Sequence, residues 1–305
     1  LSEDYSLNGT ALTVQDAAFI DTANHLRQVI DAVRAFFPFL LVLIVGVGLL
    51  AYPSLSDYWN SFHQTRAIAS YSDAVSTMDN ADYDRIWSEA EAYNADLAEK
   101  ANPYFFTEED QKLYEDRLNI SGTGVMGYID IPEIKCTLPI YHGTSEAVLQ
   151  VGVGHIEGSS LPVGGEGTHC VLSGHSGLPS AVLFTHLEDL DIGDLFTLQI
   201  MDETLTYEVD RFNRVLPHEM ELLTIEEGKD SCTLVTCTPY GVNSHRLLVH
   251  AHRVANESAT AHIRVTADAV RIDPILVSPA AAAPMLLLLF LWLMFGGGKK
   301  KPKKR

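Results

Sequence analysis

Basic residues are scarce in the body of this chain. Residues 53–273 hold 13 Lys and Arg against 35 Asp and Glu, a formal charge of −22 within a total of −19 for all 305 residues. Phosphate binding needs clustered Lys and Arg, so this composition excludes a nucleic-acid partner. It tolerates a basic substrate, such as a protein segment presenting a lysine amine. Cysteine is scarce as well, with four in the chain, so each thiol is weighed singly. No internal repeat is evident. No nucleotide-binding loop is present either: Gly152-Val-Gly-His-Ile-Glu-Gly158 has the wrong glycine spacing and no helical pattern after it, and reads as a turn. His250-Ala-His252 puts two imidazoles on one face of a strand, but without further ligands in register they are ordinary strand histidines; no metal or cofactor is expected.

Charge-free apolar runs, by contrast, are long and sit on both sides of the acidic body. Phe36–Tyr52 is 17 residues, interrupted by Pro38, and Ile275–Phe295 is 21 residues. A membrane span needs about 17–25 apolar residues, so both qualify. Lys299 to Arg305 carries six positive charges beside the second run, which the positive-inside rule keeps cytoplasmic. Two spans then put both termini in the cytoplasm and residues 53–273 outside the cell membrane. The first run lies far from the chain start, and Ala51-Tyr-Pro-Ser is a poor cleavage site, so a retained anchor is expected rather than a signal peptide.

Between the spans the texture changes from helical to β. Phe19, Ile20, Leu26, Val29, Ile30 and Val33 follow helical spacing in a juxtamembrane segment, residues 1–35. Tyr58 to Val75 and then Tyr83 to Leu97 repeat near a 3.6 period, and Asp79-Asn-Ala-Asp82 supplies a cap between them. A helical pair over residues 53–100 is expected. Residues 101–120 form a connector that opens on Asn102-Pro103-Tyr104-Phe105-Phe106, aromatics that must dock somewhere. From Val125 short β-forming runs alternate with Gly, Pro and Asp signals, with one helical insert near 181–187. Residues 121–255 therefore read as a barrel or a sandwich; periodicity alone leaves the two undecided. Residues 256–274 follow as a polar stalk, 275–295 as the second span and 296–305 as a basic tail.

The chemistry concentrates in Thr233-Leu-Val-Thr-Cys237-Thr-Pro-Tyr-Gly-Val-Asn-Ser-His-Arg246 and in Val171-Leu-Ser-Gly-His175-Ser-Gly-Leu. A thiol at a strand end attacks a carbonyl as its thiolate, an imidazole supplies base and then acid, and a guanidinium stabilises the developing oxyanion. Cys237, His175 and Arg246 are the candidates for those roles.

These segments, with Gly127-Tyr-Ile-Asp-Ile-Pro132, Leu138-Pro-Ile-Tyr-His-Gly-Thr-Ser145 and Gly152–Pro162 before them, resemble the sortase family. The run from Val125 to Val254 is similar to class C, pilin-polymerising sortases. The resemblance implies a mainly β, eight-stranded sortase-type barrel, here with an N-terminal helical pair and two flanking transmembrane helices. It implies a cysteine transpeptidase that cleaves an LPXTG-like sorting signal between Thr and Gly and joins the acyl group to a pilin lysine. It also implies a lid over the groove, carried by Asn102, Pro103 and Tyr104. Asn102 stands where Asp is usual, which removes a carboxylate that would pair with Arg246 and leaves aromatic occlusion. The turn after Cys237 and the segment Phe212–Asp230 are the expected groove walls. If the strands before His175 and Cys237 are parallel neighbours, as in the family fold, Cys170 and Cys232 lie side by side; a disulfide between them is the secondary reading, because adjacent parallel strands rarely fit bridge geometry. Cys136 reads as a lone core thiol. The alternatives are a housekeeping sortase that anchors surface proteins to the cell wall, a cysteine hydrolase, and a non-enzymatic surface scaffold.

Overall fold

The computed structural model describes residues 14–256, together with a small hairpin formed by Ser6–Leu7 and Thr10–Ala11. The stalk, second span and basic tail lie outside the described residues. Those described divide at Tyr52/Pro53 into two units, each considered by itself.

In the first unit the chain is helical from Val14, the start of helix α1 (Val14–Ser76). The expected juxtamembrane helix and first span are thus parts of one element, and Pro38 does not end it. Phe39, Ile44 and Val45 are exposed on different sides of this stretch. An apolar helix with no buried side is what a lipid environment requires. Its most apolar window has a mean hydropathy of 2.5 and is long enough to cross a membrane.

In the second unit the last turns of α1 and helix α2 (Asn80–Ala98) pack on a barrel. Asp79 caps α2 by accepting from the Asp82 amide at 2.8 Å, and Ala90, Tyr93, Asn94 and Leu97 form its buried stripe. That i, i+3, i+4, i+7 spacing is the signal the sequence carried. Two side chains weld the helices to the barrel. The Tyr71 hydroxyl donates to the Met126 carbonyl at 2.8 Å and accepts from the Met201 amide at 2.7 Å. Asn94 accepts from the Leu161 amide at 2.7 Å and donates to its carbonyl at 3.1 Å. Within the 101–120 connector lies an unexpected helix, α3 (Glu108–Asp116). Its capping box, Thr107 with Asp110, was readable in the sequence as a Thr-x-x-acid signal.

The barrel has eight strands: β1 (Val125–Ile131), β2 (Cys136–His142), β3 (Val153–His155), β4 (Thr168–Ser173), β5 (Leu195–Ile200), β6 (Glu203–Val215), β7 (Asp230–Thr238) and β8 (His245–Val254). Its closed order is β8-β6-β5-β1-β2-β3-β4-β7. The β2–β3 and β4–β7 pairs are parallel and the rest antiparallel. Closure settles the barrel-or-sandwich question and removes free sheet edges. Alternation sends Leu172, Leu234, Leu247 and Val249 inward to the main core. Two expectations need correction. Gly152–Gly158, read as a turn, contains strand β3, whose three residues pair with β2 and two of which, Gly154 and His155, also pair with β4. The helical insert near 181–187 is instead a turn followed by a single 3₁₀ turn at Leu187–Asp189. Its backbone is drawn out by α1, since Asp57 accepts from the Val182 amide at 3.0 Å and Asn60 donates to the Ser180 carbonyl at 2.8 Å. Leu183 sits at φ +41°, which no α-helix allows.

Tyr71→Phe strands a buried amide and a buried carbonyl. It should cost about 1–3 kcal/mol, read as a loss of unfolding free energy on chaotrope titration.

Candidate active site

Three strand ends meet at one rim of the barrel. β7 lies between β4 and β8, and the β7–β8 register pairs Cys237 with Arg246. His175 follows β4 by two residues, and its backbone is fixed against β7. The Gly174 amide donates to the Val235 carbonyl at 3.0 Å, and the Thr236 hydroxyl donates to the Gly174 carbonyl at 2.8 Å. The His175 carbonyl accepts from the Phe184 amide at 3.1 Å. All three residues suggested by the sequence thus come from neighbouring strand ends, and all three are partly exposed.

Exposure separates Cys237 from the other thiols. Cys136, Cys170 and Cys232 are buried, whereas Cys237 is half-exposed. Burial pushes the Cys136 thiol up to about 12. Burial and then the neighbouring Cys170 push Cys232 well above the ordinary thiol value. Cys170 and Cys232 are register partners across the parallel β4–β7 pair, as expected, and both are free thiols rather than a disulfide. Cys136 is a core thiol directed at the Leu183 carbonyl, 3.6 Å away.

The imidazole and guanidinium are sparsely engaged. His175 Nε2 makes no hydrogen bond, and the Glu146 carboxylate stands 3.8 Å from it. Glu146 lies on the single turn α4 (Glu146–Leu149) and was missed in the sequence, where one acid among 40 carries no distinguishing signal. Arg246 Nη1 donates to the carbonyls of Asn243 at 3.3 Å and His245 at 3.1 Å. Asn102 is exposed, and its carbonyl accepts from the Phe105 amide at 3.3 Å.

On the same outer face, Val235 of β7 and Leu248 of β8, one rung below Cys237 and Arg246, form an apolar floor with Val171 of β4, one rung further along, and with Leu223. Leu223 belongs to the 216–229 connection between β6 and β7, within the segment expected as a groove wall. Tyr104 packs on this floor, and its hydroxyl donates to the Leu223 carbonyl at 2.8 Å. Burial pushes that phenol up to about 12. Backbone contact holds the tyrosine there: a Cβ on Gly158 would lie 2.7 Å from the Pro103 carbonyl oxygen and 2.8 Å from the Tyr104 Cα. Phe106 packs edge-on against Tyr114, while Phe105 stays exposed.

Among the described residues no group of three His, Cys, Asp or Glu is arranged to hold a metal ion. His250 and His252 do share a face, but His250 Nδ1 lies 2.9 Å from the Thr233 hydroxyl and His252 Nδ1 lies 3.3 Å from Asp210.

Comparison with known proteins gives one family throughout. The sortase domain matches residues 129–254. The crystal structure of sortase C1 from Streptococcus agalactiae is 52% identical, with a TM-score of 0.61, and the match covers 63% of this chain and 99% of that one. Sortase C-1 from Actinomyces oris is 45% identical, with a TM-score of 0.53, covering 56% of this chain and 98% of that one. Sortase A of Bacillus anthracis is 27% identical over 220 residues, which is 72% of this chain and 94% of its own length. The barrel and these relatives define a cysteine transpeptidase. The chain belongs to the sortase family.

The backbone before His175 leaves no room for a side chain. A Cβ on Gly174 would lie 2.6 Å from the Phe184 ring, itself fully buried. Gly174→Ala should cost about 1–3 kcal/mol by overpacking, and adding Phe184→Leu should restore part of it on thermal unfolding. Equal destabilisation in single and double variants would contradict this packing.

Proposed function

We propose that this sortase is a class C enzyme that joins pilin subunits, with Cys237 as nucleophile, His175 as general acid and base, and Arg246 as the group facing the substrate carbonyl oxygen. What carries the reading is a half-exposed thiol paired across β7–β8 with an arginine, beside a histidine tied by its neighbouring backbone to the same strand.

The Cys237 thiolate adds to the Thr–Gly carbonyl of an LPXTG-like sorting signal. The carbonyl oxygen becomes an oxyanion within reach of a guanidinium that stays protonated. Collapse of that intermediate expels the glycine amine, which takes a proton from His175, and leaves an acyl thioester on Cys237. A lysine amine of the next pilin then attacks the thioester, His175 accepts its proton, and the thiolate departs as an isopeptide bond forms. Because amine must outcompete water, the groove has to orient the one and limit the other.

Tyr104 on the Val171–Val235–Leu248 floor supports a lid reading in which the ring fills the substrate groove next to the thiol. With Asn102 in place of an acid, Arg246 is left to the Asn243 and His245 carbonyls, and the lid closes by aromatic packing. The class C reading is further supported by the 52% identity to sortase C1 of Streptococcus agalactiae, above the 45% to a sortase A structure from Corynebacterium diphtheriae and the 27% to sortase A of Bacillus anthracis. Those sortase A names favour the second reading, anchoring of surface proteins to cell wall. We further propose two spans, with both termini cytoplasmic and residues 53–273 outside; the apolar α1 supports the first of them.

The full chain in detergent, given an LPXTG peptide and a pilin subunit, should yield covalent ladders. Wall-peptide conjugates alone would establish the anchoring reading, and cleaved acid alone a hydrolase. Cys237→Ala should abolish every product, and Arg246→Ala should lower kcat by about 10²–10³; ladders from either variant at the wild-type rate would overturn the assignment. Glu146→Gln should change kcat/KM by less than about fivefold, because the carboxylate is three-quarters exposed and pairs in water contribute little.

A further inference from the structure

A second cluster of polar side chains lies on the outer face of β4, β7 and β8, beyond the apolar floor and away from Cys237. His169 of β4, Thr233 of β7 and His250 of β8 are all at least 95% buried. They form one chain of hydrogen bonds. His169 Nδ1 lies 2.9 Å from the Thr224 carbonyl, His169 Nε2 lies 2.7 Å from the Thr233 hydroxyl, and that hydroxyl lies 2.9 Å from His250 Nδ1.

The terminal carbonyl fixes the direction of every link. A carbonyl only accepts, so His169 carries its proton on Nδ1. A neutral His169 then accepts at Nε2, so Thr233 donates to it. Thr233 in turn accepts from His250 Nδ1, and His250 Nε2 is left with a bare lone pair. That nitrogen is buried and makes no hydrogen bond. Burial holds His169 below its ordinary value, and burial with the Arg211 charge brings His250 down to about 4. Both rings are therefore neutral at neutral pH.

The far end of this chain is the groove wall. Thr224 follows Leu223, whose side chain belongs to the apolar floor and whose carbonyl accepts the Tyr104 hydroxyl. Adjacent carbonyls of one turn are thus held by the relay on one side and by the tyrosine on the other. Thr233 shares a strand with Cys237 and His250 with Arg246, and His169 lies on β4, two residues beyond whose end comes His175.

We propose that the His169–Thr233–His250 relay is a latch that fixes the 216–229 connection, and through it Tyr104, over the groove beside Cys237. The three are positioning residues, distant from the reacting atoms, and the proposal rests on the reading of Tyr104 as a cover. Acid releases the latch: a proton on His169 Nε2 turns its acceptor into a donor and leaves the Thr233 proton without a partner. Around the relay stand Asp210 and Arg211 from β6, His252 from β8, and Glu226 and Lys229 from the connection, lining a cavity of about 450 Å³. Glu226 pairs with Lys229 and Asp210 with His252, so neither carboxylate offsets an added relay charge in full. The sign follows from the depressed value of His169: the latch is complete above the ordinary imidazole value of about 6.5 and is lost as pH falls below it through the lowered value.

The test measures alkylation of Cys237, the half-exposed thiol, in the full chain in detergent, with Cys237→Ala as blank. Thr233→Val removes the central hydroxyl at nearly constant volume, and Thr233→Ser keeps it. Thr233→Val should speed alkylation about fivefold or more, the factor expected for one or two lost hydrogen bonds, and Thr233→Ser should match wild type. Tyr104→Ala tests the cover alone. If Tyr104→Ala accelerates alkylation and Thr233→Val does not, the latch is wrong and the lid stands. If neither accelerates it, the lid reading fails and the latch with it. The ratio of Tyr104→Ala to wild-type rates should also fall toward one as pH drops below about 6.5; this needs no relay variant to fold, and a flat ratio would overturn the acid release.

Discussion

Parallel pairing of β4 with β7, with β8 closing on β7 from the other side, is the constraint on which the remaining features depend. Parallel neighbours run in the same direction, so the residues that follow β4 and those that end β7 emerge at one rim. The antiparallel return of β8 brings its first residues to that rim as well. A thiol, an imidazole and a guanidinium separated by up to 71 positions are gathered by hydrogen-bonded ladders rather than by loops. The Gly174–Val235 and Thr236–Gly174 bonds extend the ladder just past the end of β4. Barrel closure makes this arrangement stiff, because no strand has a free edge along which to slip.

Side-chain alternation on the same three strands produces a second consequence. Inward positions supply the core, including the paired thiols Cys170 and Cys232. Outward positions form rungs that step obliquely across the strands: the chemical residues at the rim, then an apolar patch capped by Tyr104, then a polar cluster of two histidines and a threonine. Neighbouring rungs differ sharply in polarity while sharing a backbone, and the 216–229 connection touches both lower ones. The thiols beneath are sealed by burial, so the same strands hold buried and accessible cysteines a few residues apart.

Much of this was legible in the sequence because it rests on local signals. The α2 stripe, its Asp79 cap and the Thr-Pro-Tyr-Gly strand end after Cys237 are all short-range patterns. Resemblance supplied the parallel adjacency that put Cys170 beside Cys232, which composition could not. What was not legible depended on contacts far apart in the chain. β3 has only three residues, too few for a period, and exists because β2 and β4 flank it. The 181–187 segment has helix-compatible residues but is pulled into a turn by Asp57 and Asn60, whose bonds span 125 and 120 positions. Glu146 and the Thr233 relay are ordinary residues whose significance comes from what they face. The α3 capping box was a missed local signal.

Tyr104 occupies its floor with both a buried ring and a committed hydroxyl, and this makes the molecule its own competitor. Any ligand that uses the surface formed by Val171, Val235 and Leu248 meets a tethered occupant at high effective concentration. Its observed affinity is the intrinsic one reduced by the fraction of molecules in which the tyrosine has swung out. On the proposed reading of Tyr104 as a lid, selectivity resides partly in the protein's own side chain, which turns weak binders away by intramolecular mass action.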